Sequence, residues 1–167
     1  MKRIVLSVLV DNTAGVLSRV SGLFSRRGYN IDSLTVGETL DPAISRMTIM
    51  AHGDDQILEQ IRKQLLKLED VIEIKELAPG ESVTRELVLV KVAVVEKDRQ
   101  AIIAIADIFR AKIVDVALES LMIELTGSQD KIDAFINLLS PYTIKELGRT
   151  GLTGLIRGSG DISDFSD

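Results

Sequence analysis

The residues best placed for chemistry in this sequence are Asp11-Asn12-Thr13-Ala14-Gly15-Val16-Leu17, and the chemistry they suggest is recognition rather than turnover. Asn12 or Thr13 can cap a helix, because a short side-chain oxygen accepts a bond from an orphan N–H of the first turn. Val16, Leu17, Val20, Leu23 and Phe24 then fall on one face of a 3.6-residue repeat. Gly15 is the anomaly, since glycine in a first turn costs up to about 1 kcal/mol relative to alanine. Two readings of it stay open. It lets a helix pack closely on a sheet, or its missing Cβ bares backbone N–H groups at the positive end of the helix dipole. In the second case the N–H groups around Gly15, Val16 and Leu17 face an anion, and the Asn12 amide donates or accepts beside it. Asn12–Ser18 holds no Lys, Arg or metal-ligand cluster, so one carboxylate suits the turn better than a triphosphate. A free amino acid is a ligand of that kind.

Other chemistries lack their residues. His52 is the single histidine and there is no cysteine, which removes zinc fingers, cysteine–histidine nucleophile pairs and disulfide frameworks. His52, at the end of a predicted strand, is expected to be structural. Asp54-Asp55 is expected to cap a helix rather than hold a metal. Gly158-Ser159-Gly160 lacks the strand–turn–helix that a phosphate loop needs. Arg46 is a candidate support for a ligand or a partner subunit. No constellation activates a nucleophile, so neither a catalytic residue nor a metal site is expected. A formal charge of −5 argues against binding nucleic acid or an anionic membrane surface, where Lys and Arg must neutralise phosphates. No run of 18 apolar residues is present to span a membrane. The basic start Met1-Lys2-Arg3 is not a signal peptide, because Ser7 and Asp11 break the apolar run. A composition 46% hydrophobic and 27% charged predicts a soluble globular protein, and the missing cysteines fit a cytoplasmic location.

The elements around the first turn follow from periodicity. Ile4–Val10 is a strand by its β-branched content, and Gly28 stands where a helix ends in a left-handed residue. Ile31–Glu38 and Ile44–His52 form a hairpin across Asp41-Pro42. In its second strand Met47, Ile49 and Ala51 alternate with Arg46, Thr48 and Met50, which predicts one buried and one polar-leaning face. A helix follows with Ile57, Ile61, Leu65 and Leu68 on its stripe, and Glu59 and Lys63 one turn apart. Val71–Lys75 is a fourth strand. The order βαββαβ is the ferredoxin-like arrangement. Ala78-Pro79-Gly80-Glu81-Ser82 is a linker, after which the pattern recurs with helices over Lys97–Phe109 and Gln129–Leu139. The expected fold is therefore α+β, two tandem ferredoxin-like βαββαβ domains at 1–77 and 83–158. The linker is 78–82, and 159–167 is a tail expected to be disordered. In the second repeat Glu96-Lys97-Asp98-Arg99 replaces the glycine turn, so the first repeat is the expected ligand site.

The stretch Asp11–Leu17 with Gly28-Tyr29-Asn30-Ile31 resembles the amino-terminal ACT domain of acetolactate synthase small subunits. Asp32-Ser33-Leu34-Thr35-Val36, Ser45-Arg46-Met47-Thr48-Ile49, Asp115-Val116 and Arg149-Thr150-Gly151 extend the likeness over nearly the whole chain. The resemblance implies a non-catalytic regulatory subunit that activates a separate catalytic (large) subunit. It also implies feedback inhibition by a branched-chain amino acid, valine first, in valine, leucine and isoleucine synthesis. Thiamine diphosphate, magnesium and FAD would then belong to the catalytic partner, with no cofactor in this chain. It further implies a homodimer, with Asn30 and Ile31 completing from one protomer a pocket begun by Asn12, Gly15, Val16 and Leu17 of the other. A free-standing ACT sensor that controls another enzyme or a transporter is the alternative.

Overall fold

The computed structural model describes residues 1–162, which form two compact units. The first comprises Met1–Val83 together with the chain from Leu152 onward, and the second is Thr84–Gly151.

In the first unit β1 (Lys2–Asp11), α1 (Val16–Arg26), β2 (Ile31–Glu38), β3 (Ile44–Gly53), α2 (Asp55–Leu66) and β4 (Val71–Glu76) follow the expected order. The sheet runs β2-β3-β1-β4 with every pair antiparallel. Alternation along the strands puts Ile4, Leu6, Val8 and Val10 on the same face as Met47, Ile49 and Ala51. There they meet Val16, Val20, Leu23 and Phe24 of α1 and Leu58, Ile61 and Leu65 of α2. Each side chain so buried contributes roughly 1.5–3 kcal/mol. Leu58 joins this core, while Ile57 and Leu68 of the expected stripe are only partly buried.

Helix α1 ends as its glycine predicts. Gly28 has φ +69°, its N–H donates to the Ser25 carbonyl, and the Tyr29 N–H reaches back to Phe24. The Tyr29 ring meets Phe24 edge-on at 6.4 Å, the hydrophobic contact that accompanies this helix stop. At the start of α2 the Asp54 carboxylate accepts from the Ile57 N–H at 2.8 Å, so Asp54 is a cap. Glu59 and Lys63 pair at 3.6 Å along that helix.

The opposite face of the sheet leans polar as expected, with Arg46, Thr48 and exposed His52 on β3, but much of it is covered: Ser7, Thr48 and Met50 are buried there. The chain from Leu152 onward accounts for this. The Leu152 N–H donates to Ser33 Oγ at 3.0 Å, and its carbonyl accepts from Thr35 Oγ1 at 2.9 Å. A short strand, β9 (Thr153–Ile156), follows and pairs with β5 (Ser82–Ala93), whose first two residues lie in this same unit. Leu152 and Ile162 are both buried. By its contacts the chain from Leu152 onward groups with the first unit, whereas the sequence boundary places 152–158 with the second domain. Ile162, within the stretch 159–167 expected to be disordered, is buried, and 163–167 lie outside the described residues.

The second unit repeats the arrangement with β5, α3 (Glu96–Ile108), β6 (Lys112–Val116), β7 (Ser120–Gly127), α4 (Gln129–Leu138) and β8 (Ile144–Arg149). Its sheet order is β6-β7-β5-β8. The Phe109 and Phe135 rings meet at 5.4 Å in a core built from Val88, Val90 and Val92 against Ile102, Ala106 and Ile132. Glu86 is buried, and Arg149 grips it with two bonds of 2.7 and 2.8 Å while also reaching Asp133. β5 begins at Ser82, inside the expected linker, because the Pro79-Gly80 turn is tight enough for Glu81 N–H to donate to Ala78. Among the described residues no helix is long and apolar enough to cross a membrane.

Candidate ligand-binding site

The first strand–helix turn holds Gly15 in a left-handed conformation, with φ +87° and ψ −7°. That explains the glycine better than either sequence reading does. Only a residue without Cβ enters this region without cost, and here it breaks the strand direction so that α1 starts at Val16. Gly15 is itself the residue flanking the helix, and no side chain caps α1. Asn12 and Thr13 are therefore not the cap. The Asn12 amide instead donates to the Pro42 carbonyl at 2.8 Å and to Glu38 Oε1 at 3.3 Å, tying the turn to the β2–β3 hairpin. Its side-chain oxygen keeps its acceptor capacity.

The first intrahelical bond runs from the Arg19 N–H to the Gly15 carbonyl at 3.0 Å. The N–H groups of Leu17 and Ser18 precede it and lack helical partners, while Val16 makes one long bond to Thr13. Val16 is buried and Leu17 is half exposed, so the turn presents backbone donors beside an apolar side chain. The sequence reading missed a cation here. Arg19 folds back so that one guanidinium nitrogen would lie 2.9 Å from a Cβ on Gly15. Its Nε and Nη2 hold the Asp70 carboxylate at 2.5 and 3.1 Å. The pair raises the Arg19 pKa and lowers that of Asp70, chiefly through this hydrogen bond. One helical turn carries Arg19 back over Gly15, a spacing visible in the sequence once the helix start is known.

Asn30 and Ile31 lie at the other end of the same sheet. Ile31 pairs with Ala51, which pairs with Ile4, whereas Asp11 pairs with Ile44. Residues 4 and 11 of β1 are seven positions apart, roughly 23 Å along a strand. One protomer therefore does not bring Asn30 and Ile31 to the Gly15 turn. Ile31 packs on the edge of the core, and the Asn30 amide donates to Asp32 Oδ1 at 2.7 Å. Asp32 sits at a bulge in the β2–β3 ladder, and its other oxygen meets His52 Nδ1. His52 is thus structural, as expected, but as part of a side-chain chain that orients Asn30.

The corresponding turn of the second unit is built differently. Val95 flanks α3 with no glycine and no side-chain cap, and Arg99 donates to the Leu118 carbonyl at 2.7 Å. This turn has no left-handed glycine. Among the described residues no group of three or more His, Cys, Asp or Glu could hold a metal ion.

Known proteins share this architecture. Residues 6–73 match the family model of the small subunit-like ACT domain of AHAS (acetolactate synthase), and 85–158 match that of the small subunit of acetolactate synthase. The chain is 53% identical to the acetolactate synthase small subunit of Haemophilus influenzae, covering 97% of this chain and 99% of that one. It is 54% identical to the "Probable acetolactate synthase small subunit" of Methanothermobacter thermautotrophicus, covering 93% of each. The crystal structure of the acetolactate synthase small subunit from Thermotoga maritima superposes with a TM-score of 0.87 at 42% identity, over 96% of this chain and all of that one. Both units and the turn between β1 and α1 fall within these matches. This chain belongs to the acetolactate synthase small-subunit family.

Proposed function

We propose that this chain is the regulatory subunit of acetolactate synthase, which activates the catalytic subunit and makes it responsive to a branched-chain amino acid, valine first. The observation that carries the reading is the Gly15 turn. A left-handed glycine opens α1 with uncapped N–H groups, and Leu17 and Val16 supply apolar surface, while the guanidinium alongside is already paired with Asp70. That combination favours a carboxylate attached to a short branched side chain. The Asn12 oxygen is an acceptor for the ligand's ammonium group.

The remaining half of the pocket, Asn30 and Ile31, comes from a second copy in this reading, since one sheet separates the two halves by roughly 23 Å. A site shared between protomers couples ligand to assembly, because occupancy favours the arrangement that binds it better. A coupling of about 1–3 kcal/mol corresponds to roughly 5–150-fold regulation. This chain supplies no catalytic group, and the thiamine diphosphate, magnesium and FAD of the holoenzyme belong to the catalytic partner.

The test is reconstitution. Adding this chain to the cognate catalytic subunit raises acetolactate formation, and valine reverses part of that rise. Unchanged activity on mixing would remove the regulatory role, whereas activation without a valine effect would remove only the effector assignment.

A further inference from the structure

The face of the first unit's sheet turned away from α1 and α2 contains a separate cavity of about 220 Å³. Its polar wall is Ser7, Arg46, Lys75 and Asp161, and its apolar wall includes Leu77, Leu155 and Ile162. The volume is that of about seven water molecules, enough for a molecule of a few carbons. Ser7 and Arg46 come from the central strands, and the remaining wall comes from the end of β4, from β9 and from the chain after it.

Arg46 is the group this cavity is built around. It is half-buried, and burial pulls its pKa below the ordinary arginine value. Among the described residues no carboxylate pairs with it; its guanidinium donates instead to the buried Ser7 hydroxyl at 2.5 Å. A neutral hydroxyl does not compensate a partly desolvated cation, so an anion arriving there recovers energy already spent in folding. Thr48 lies opposite Ser7 in the ladder, on the same face as Arg46, and its buried hydroxyl has no hydrogen-bond partner among the described residues. Such hydroxyls are rare in folded proteins; this one lies in the buried layer beside the cavity and does not line it.

We propose that this cavity is a second ligand site, which takes a short aliphatic monocarboxylate and is distinct from the Gly15 turn. Among the described residues, Arg46 and Lys75 against Asp161 give the wall a net charge of one positive, which suits one carboxylate. Leu77 and Ile162, both buried, cover the hydrocarbon end, with the exposed Leu155 at its rim. Ser7 lies behind the guanidinium and fixes its direction. Because Leu155 and Ile162 belong to the returning chain, occupancy also holds that segment against the sheet. The site needs nothing from Gly15, so it stands or falls separately from the amino-acid reading.

The probe is 3-methylbutanoate, titrated to about 20 mM into the full-length chain carrying labelled methyl groups. Saturable shifts are expected at Leu77, Leu155 and Ile162. The neutral isostere 3-methylbutanamide should leave these methyls in place, and valine should move them less. Arg46→Met should weaken binding at least about tenfold, the usual loss for one charge-assisted bond, while Gly15→Asp should bind the probe as the parent does. Should Arg46→Met lose its methyl dispersion, Leu155→Trp carries the test by filling the cavity, and it should abolish the shifts. The proposal is overturned if the parent chain shows no saturable shifts, if the amide or valine binds as well, or if a folded Arg46→Met or Leu155→Trp chain keeps its affinity. Loss of binding in Gly15→Asp would equally show that the site is not a separate one.

Discussion

At the scale of the residue, Gly15 and Asp70 decide most about the turn. Any L side chain at φ +87° is strained by roughly 1–2 kcal/mol, so Gly15→Asp alone confounds strain with charge. Asn tolerates the left-handed region about as well as Asp does and carries no charge. In the reconstituted enzyme Gly15→Asn should raise the valine needed for half inhibition, and Gly15→Asp should raise it about tenfold further. Equal shifts for the two would mean that no carboxylate binds at this turn. Asp70 supplies a pH prediction. Arg19 holds its carboxyl below the usual carboxylate range, so the pair stabilises the fold above the unfolded pKa of about 4 and is lost as pH falls through the lower folded value. Urea midpoints of wild-type and Asp70→Asn chains should therefore differ near neutrality and converge as pH falls through the lowered Asp70 value. A constant difference across that range would assign the stabilisation to something other than this pair.

At the scale of the element, two helices end in the same way with different residues. After α1 the left-handed position is Gly28, and after α3 it is Arg110, with φ +56°. The bonds agree: Arg110 N–H donates to Asp107 and Ala111 N–H to Ala106, as Gly28 and Tyr29 do to Ser25 and Phe24. Arg110 thus carries a steric cost that glycine avoids, offset in part by the larger unfolded-state entropy of glycine. Arg110→Gly should stabilise the chain by about 0.5–1 kcal/mol, read as a raised midpoint in thermal or chemical unfolding. A lowered midpoint would show that the arginine side chain holds an interaction worth more than the strain.

At the scale of the whole molecule, the separation between Asn30 and the Gly15 turn makes a prediction about assembly. If every effector pocket combines the turn of one protomer with Asn30 of another, Gly15→Asp and Asn30→Ala chains are each insensitive to valine. A mixed dimer of the two keeps one pocket intact, because the unaltered turn and the unaltered Asn30 face each other across it. Mixing and re-equilibrating the two variants before adding the catalytic subunit should restore part of the valine inhibition that neither shows alone. No restoration, with exchange of protomers verified by mass, would place both halves of the pocket within one chain.

The order of elements was legible because it depends on local periodicity. Ile31–Glu38 emerges with the bounds expected, the stop at Gly28 is where its conformational freedom predicts, and Asp54 caps α2. The glycine that marks the turn was equally visible, as was the lone histidine. What sequence could not decide is what depends on residues far apart in the chain. Arg19 meets Asp70 across 51 positions, and Leu152 meets Ser33 across 119. Hydrophobic alternation says which face of β3 turns inward, but not that a later segment returns to cover the other. β9 is four residues among glycines, too short for a period, and it exists because β5 offers it a partner. The function of Gly15 was open on propensity alone, since a missing Cβ serves packing, ligand approach or backbone conformation alike. Only the φ angle, set by how β1 must turn into α1, shows that backbone conformation is one of them.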